Sequence, residues 1–188
     1  MIDNDRRKTI EGSLFLILFC LTIPAANWMI GHVGTICVSG GLCLVPVAPG
    51  LMAPSGVLMV GAALVLRDLV QRRLGISFGI GAIIAGAAIS AGLAPASLVV
   101  ASAAAFLLSE FADFMVYTPL ARRKLVLAVL ASSAVGLVVD SIVFLWLAFG
   151  SLEFLFGQIV GKLWMVVLAL PFVFWIRRRD ERLGLKPA

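Results

Sequence analysis

The sequence predicts an all-α membrane protein with six transmembrane helices in a single transmembrane domain, residues 1–188. Hydrophobic residues make up 62% of the chain, charged residues only 13%, and the mean hydropathy is +1.11. Soluble domains are closer to half apolar and a quarter charged. A helix needs about 20 apolar residues to cross a bilayer, so 188 residues hold about six spans and no separate soluble domain.

Charged residues divide the chain into six apolar runs, each long enough for a helix that spans or nearly spans a bilayer. The runs are 13–31, 50–66, 76–93, 96–118, 125–149 and 157–176. The first run follows a polar start, and the last is followed by a strongly basic tail.

The basic residues predict the topology of these spans. Fourteen of the 15 lysines and arginines lie in four clusters beside the runs. The loops 32–49, 93–95 and 150–156 contain no lysine or arginine. Because basic clusters stay in the cytoplasm, both termini are predicted to be cytoplasmic. The net charge of +5 is therefore a topology signal for a multi-pass protein in a lipid bilayer, and we expect no nucleic-acid partner.

The uncharged segment 32–49 lies between the first two spans. Two full spans in this region would make the total odd and place one basic cluster outside. Gly40-Gly41, Pro46 and Pro49 also oppose a continuous helix. We therefore expect an apolar loop or re-entrant segment on the outer side. The three cysteines lack CxxC spacing, which favours packing thiols over a disulfide or metal site.

Small residues line one face of the third span. Gly75, Gly79, Ala82, Gly86 and Ser90 follow one another at helical spacing. In lipid such faces let helices approach closely. The face predicts either close packing inside the bundle or a homodimer interface.

Ionisable residues inside the spans mark a candidate binding site, because a charge at the bilayer centre requires a partner or a cavity. Counted from the flanking basic residues, Asp140 lies about 24 Å deep and Lys162 about 22 Å deep on the next antiparallel helix. Asn27 reaches the same level, and Gln158 lies one turn from Lys162. This layer is either a ligand site or an ion pair that fixes helix register.

A second polar layer lies nearer the cytoplasm. Glu110 and Asp113 share one face of the fourth span, with Tyr117 one turn further. Ser133 reaches about the same depth on the fifth span, and we expect Ser133 and Tyr117 to gate or brace this layer. No basic residue is counted at this depth, which makes the two carboxylates candidates for proton coupling.

A further pair of charges, Arg67 and Asp68, comes at the expected cytoplasmic end of the second span and is expected to gate or brace it.

Motifs of enzymes are not found in the sequence. It has one histidine and no GxSxG, HExxH or Walker A pattern. We therefore expect neither an enzyme nor a cofactor or metal site.

Several segments together resemble the bacterial queuosine-precursor transporter family, also called the VUT family. They cover most of residues 20–178. The segments are Arg67-Asp68-Leu69-Val70-Gln71-Arg72-Arg73-Leu74-Gly75, Ser109-Glu110-Phe111-Ala112-Asp113-Phe114-Met115-Val116-Tyr117, Ser132-Ser133 with Gly136 and Asp140-Ser141, Gly157-Gln158-Ile159-Val160-Gly161-Lys162, and Asn27. Ser133 departs from the family, where many members have Asn, and 32–49 matches weakly.

The resemblance implies a six-helix importer in the bacterial inner membrane, related to the vitamin-binding subunits of energy-coupling-factor transporters. Its ligand would be 7-cyano-7-deazaguanine or 7-aminomethyl-7-deazaguanine, a planar heterocycle. Asp140 and Glu110 or Asp113 would accept its N–H groups, and Lys162 and Gln158 would donate to its acceptor atoms. Asn27 would give a supporting contact. The alternatives are a vitamin-binding subunit that works with a separate ATPase module and a membrane scaffold that transports nothing.

Overall fold

A computed structural model describes residues 2–37, 42–94, 98–122 and 124–185 of the chain. Within these residues the six predicted apolar runs all contribute to α-helices, in the predicted order. The helices are α1 (Ile2–His32), α2 (Val57–Leu74), α3 (Ile76–Leu93), α4 (Val99–Ala121), α5 (Leu125–Phe149) and α6 (Leu155–Leu183).

Five of these helices, α1 and α3 to α6, are long and apolar enough to cross a membrane. The chain is therefore a multi-pass membrane protein. Helix α2 is the exception, because it contains Arg67, Asp68, Arg72 and Arg73. These four residues are buried, and α2 packs against α1, α3, α5 and α6. Other helices therefore surround α2, because charged side chains exposed to lipid would be costly.

The position of α2 corrects the predicted second span. That span was expected over 50–66, with Arg67 and Asp68 at its end. The helix instead begins at Val57 and continues to Leu74, so both residues lie within it. The shift arises because the first residues of the apolar run belong to a β-strand rather than to the helix.

A three-stranded antiparallel sheet occupies the segment that was predicted to be a loop or re-entrant segment. Its strands are β1 (Ile36–Cys37), β2 (Cys43–Ala48) and β3 (Leu51–Pro54), in the order β1-β2-β3. Gly50, at φ 73°, lies in the turn between β2 and β3. The sheet pairs the backbone groups that an apolar loop would leave unsatisfied. Pro46 is tolerated because β1 does not extend that far along β2.

A disulfide joins Cys37 of β1 to Cys43 of β2. The prediction of three packing thiols is therefore wrong for two of the cysteines, and Cys20 is the free one. The register of the two strands places Cys37 opposite Cys43, which no spacing motif in the sequence indicates.

The sheet is anchored on α1 and α6. The Ser55 hydroxyl, just after β3, donates to the Met29 carbonyl of α1 at 2.7 Å. The Trp164 indole nitrogen of α6 donates to the Val47 carbonyl of β2 at 3.0 Å. These bonds fix the sheet at one end of the helix bundle.

The small-residue face of α3 packs inside the bundle. Gly79, Ala82, Gly86 and Ser90 are all buried within the chain. A methyl group on Gly86 would come within 2.7 Å of the Phe106 ring on α4. Gly75 makes the turn from α2 into α3 at φ 94°, a conformation that favours glycine. Internal packing explains the face, and the homodimer stays a prediction.

Arginines of α2 bind acids of α1 and α6 at the end of the bundle opposite the sheet; we call this group the arginine clasp. Asp180 of α6 accepts hydrogen bonds from the guanidinium groups of Arg72 and Arg73 at 2.8–3.0 Å. Glu11 of α1 pairs with Arg73 at 2.8 Å and with Arg179. In the sequence these arginines predict only that the end of each span is cytoplasmic. In the structure they also hold three helices together.

The clasp predicts that Asp180→Asn lowers stability strongly. The substitution removes the shared acceptor of two buried arginines, and breaking a buried pair costs about 3–5 kcal/mol. The adjacent pair Glu181–Arg177, at 2.9 Å, has side chains that are 60% and 45% exposed. Glu181→Gln is therefore a matched control with an expected cost below about 1 kcal/mol. Thermal unfolding in detergent measures both. Equal melting temperatures for the two variants would contradict the structural role of the clasp.

Candidate functional site

A cavity lies among the helices, next to the sheet. Its volume is about 100 Å³, several times the roughly 10–15 Å³ that one water molecule requires. Much of its wall is apolar and includes the rings of Phe106 and Phe144. The polar residues in its lining are Thr22, Asn27, Ser90, Ser102, Ser109, Glu110, Asp140, Gln158 and Lys162.

The Lys162 ammonium group lies at the wall of this cavity and is 1% exposed. It donates to Asp140 Oδ2 at 2.6 Å, to Ser141 Oγ at 2.7 Å and to Gln158 Oε1 at 2.6 Å. The predicted contact between Asp140 and Lys162 is thereby confirmed. Counting residues from the flanking charges succeeded here because α5 and α6 are continuous helices through this level.

Gly61 of α2 allows α6 to bring Lys162 to this position. A methyl group on Gly61 would lie 2.9 Å from the Lys162 Cα, closer than such contacts occur in proteins. The two helix backbones therefore touch six residues, or nearly two turns, before Arg67, the first charge of α2. A larger residue at 61 would move Lys162 away from Asp140.

Arg67 organises a second polar group, which we call the Arg67 cluster: Arg67, Asp68, Glu110 and Asp113. The guanidinium binds Glu110 Oε2 at 2.9 Å, Asp68 Oδ1 at 3.0 Å, and Asp113. All four side chains are at most 2% exposed. The expectation that no base lies at the level of Glu110 and Asp113 is wrong. It failed because Arg67 was placed at the end of a span and instead lies inside α2.

Hydrogen bonds and an aromatic ring also surround this cluster. Gln71 Oε1 accepts a hydrogen bond from Arg67 at 3.2 Å, and Asp68 Oδ2 accepts one from the Ser132 hydroxyl at 3.0 Å. Tyr117 packs its ring against the Arg67 guanidinium, 5.8 Å from the ring centroid. Three carboxylates thus surround one guanidinium.

Five of the six predicted substrate-binding residues line the cavity. They are Asn27, Glu110, Asp140, Gln158 and Lys162. Asp113 is not among the lining residues, because its carboxylate faces Arg67. Of the four residues expected to gate or brace, Arg67 and Asp68 belong to the Arg67 cluster. Ser133 and Tyr117 are fully buried, and their hydroxyls have no hydrogen-bond partner in the described part of the chain.

Several atoms of the lining residues remain available for a ligand. Asp140 uses Oδ2 for Lys162, and Glu110 uses Oε2 for Arg67. Among the described residues no protein donor binds the other carboxylate oxygen of either residue, and the Gln158 amide nitrogen has no acceptor. None of these three atoms is sealed inside the protein. These three lining residues therefore offer a ligand at least two hydrogen-bond acceptors and one donor.

Sequence reasoning missed two contributors to these clusters. Ser141 holds the Lys162 ammonium, and Gln71 holds Arg67. Gln71 stands four residues after Arg67 on the same helix, a spacing that could have identified it. Among the aromatic residues of the spans, Phe106 and Phe144 line the cavity, whereas Trp28 and Trp164 are 58% and 52% exposed on the bundle surface.

The groups in the cavity lining can bind a small molecule. In residues 2–37, 42–94, 98–122 and 124–185, no three histidine, cysteine or acidic side chains are grouped to hold a metal ion. Carboxylates, an amide and flat apolar walls together suit a small polar molecule with a planar ring.

Comparison with known proteins identifies the family. No curated protein and no solved structure matches the chain. A family model described as "Putative vitamin uptake transporter" matches residues 56–176, about two thirds of the chain, from the start of α2 into α6. The matched region contains the Arg67 cluster, Asp140, Gln158 and Lys162. The chain therefore belongs to this family of vitamin uptake transporters, the VUT family.

Proposed function

We propose that this transporter imports a 7-deazaguanine precursor of queuosine, 7-cyano-7-deazaguanine or 7-aminomethyl-7-deazaguanine, across the bacterial inner membrane. One observation carries the proposal. Two buried carboxylates, Glu110 and Asp140, line one cavity, and each has one oxygen bound to a protein cation and one oxygen without a protein donor. The ligand would supply the missing donors.

The hydrogen-bonding edge of the ligand fits this arrangement. A guanine-type ring presents N–H donors beside a carbonyl acceptor. The free oxygens of Glu110 and Asp140 accept from the donors, and the side of the cavity formed by Gln158 and Lys162 supplies a donor for the carbonyl. Phe106 and Phe144 offer faces for stacking on the fused rings. Asn27 gives a supporting contact, and Asp113 acts indirectly through Arg67.

The proposed topology has six spans with both termini in the cytoplasm. The alternation of basic clusters supports it, and so does the Cys37–Cys43 disulfide, because disulfides persist in oxidising compartments outside the cytoplasm. The sheet would then lie on the outer side and the arginine clasp on the cytoplasmic side. Between the cavity and the cytoplasm, the successive turns of α2 that contain Arg67, Arg72 and Arg73 would close the path.

A second candidate is a vitamin-binding subunit that works with a separate ATPase module. The family description favours it, because it names vitamin uptake. The same cavity would then hold a vitamin of similar size. The two candidates differ in ligand and in whether the chain transports alone.

For the topology, we predict that reporter fusions after Gly50, Ala94 and Leu152 report an outer location. Fusions after Lys124 and Arg182 should report the cytoplasm, because basic clusters are retained there. Paired alkaline phosphatase and fluorescent protein fusions measure both sides. A cytoplasmic signal from any of the first three positions would contradict the six-span arrangement.

For transport, a bacterial host unable to make the precursor should regain queuosine in its tRNA at low external precursor when it expresses this chain. Asp140→Asn should abolish the gain, because the substitution removes a ligand acceptor and leaves the Lys162 charge buried without its counter-ion. Glu153→Gln is the control, since Glu153 is exposed and outside the cavity. Liquid chromatography of tRNA nucleosides measures the result. Equal queuosine with and without the chain would refute import.

For the ligand, purified protein in detergent should be stabilised by 7-cyano-7-deazaguanine and not by vitamins. A ligand at 100 times its dissociation constant adds about 2.7 kcal/mol to the stability of the protein that binds it. A thermal-shift screen of both compound classes measures the effect. Stabilisation by a vitamin alone would replace the first candidate with the second.

A further inference from the structure

We infer that Lys162 is a positioning residue that does not contact the ligand, and that the Gln158 amide nitrogen is the donor that recognises the ligand's ring carbonyl. The inference rests on the proposed function and specifies how the site selects its ligand. Lys162 and Gln158, which were both predicted to donate to the ligand, thereby have different roles.

The hydrogen-bonding capacity of Lys162 is the first step. An ammonium group has three N–H donors and no acceptor. All three donors have protein partners at 2.6–2.7 Å, on Asp140, Ser141 and Gln158. To bind a ligand carbonyl, Lys162 would have to release one of these buried acceptors. The ammonium group is therefore already satisfied before any ligand arrives.

The orientation of Gln158 follows from the same contact. Because the ammonium group can only donate, the Gln158 atom at 2.6 Å must be the amide oxygen. The amide nitrogen then points away from Lys162. Gln158 lines the cavity, and its nitrogen is not among the enclosed atoms that lack a partner. With no protein acceptor among the described residues, this nitrogen is available to donate to a ligand in the cavity.

Asp140 is oriented in the same way. Its Oδ2 is held by Lys162, which leaves Oδ1 as the acceptor. One ammonium group therefore holds a donor, on Gln158, and an acceptor, on Asp140, at the same wall. This pair matches the adjacent carbonyl and N–H of a lactam ring. The ligand class that it selects is a planar lactam with a strong carbonyl acceptor.

The test compares two probes that differ at one atom: 7-cyano-7-deazaguanine and its 6-thio analogue, which keeps the ring N–H but replaces the carbonyl oxygen with a weakly accepting sulfur. Affinities are measured by calorimetry on full-length protein in detergent. The wild type should bind the oxo compound about tenfold more tightly, since a buried donor is left poorly paired with sulfur. Gln158→Leu should bind both within about twofold.

Ser141→Ala is the matched control, because Ser141 also binds Lys162 but does not line the cavity. It should bind both compounds more weakly and keep the tenfold preference. If Gln158→Leu does not yield folded protein, as judged by gel filtration, Gln158→Met replaces it with the same expectation.

Every other result of these measurements contradicts a specific part of the inference or the proposed function. A Gln158 variant that keeps the preference, or a wild type without one, overturns the role of the amide. Ser141→Ala could also lose the preference as completely as the Gln158 variant does. Lys162 would then be the group that recognises the ligand's carbonyl, and the inference would be wrong. A wild type that binds neither probe refutes the proposed function, and the inference with it.

Discussion

The pairing of buried arginines on α2 is the constraint on which the rest of the structure depends. An unpaired charge cannot be buried in a membrane protein without a large cost. Arg67, Arg72 and Arg73 therefore require acids from other helices, and they find them on α4 and α6, with Glu11 on α1. These pairs determine which helices surround α2. They also explain why α2, the least apolar of the helices, is the one most completely covered by other parts of the protein.

The ion pairs of α2 also determine which polar groups line the cavity. Glu110 belongs to both parts of the molecule, because one of its oxygens binds Arg67 and its side chain lines the cavity. Lys162 holds Asp140, another lining residue, in the same manner. A ligand that bound the free oxygens of both carboxylates would therefore touch one group held by α2 and one held by α6. Ligand binding would then be coupled to helix packing through Glu110 and Asp140.

The sequence predicted correctly the features that depend on distance along a helix. It did not predict the features that depend on how separate segments pair with one another. Asp140 and Lys162 were placed correctly because residue counts convert to depth on continuous helices. Arg67 was misplaced because α2 begins seven residues later than the apolar run does. The sheet and the Cys37–Cys43 disulfide depend on strand register, and a short apolar segment with two prolines and a Gly-Gly pair contains little information about register.

The sequence left open whether Asp140 and Lys162 only fix helix register or also bind a ligand, and the hydrogen bonds of the two residues differ in a way that favours a binding role for Asp140. A pair that served register alone would have its hydrogen bonds completed within the protein, since unsatisfied buried groups are costly. The ammonium group of Lys162 meets that condition, whereas Asp140 and Glu110 each keep an oxygen without a donor among the described residues. The lysine is complete as a structural element, and the carboxylates are incomplete without a ligand or water. Lys162 and Arg67 each hold one oxygen of a cavity-lining carboxylate and leave its other oxygen without a protein donor among the described residues, an arrangement that suits a ligand with N–H donors.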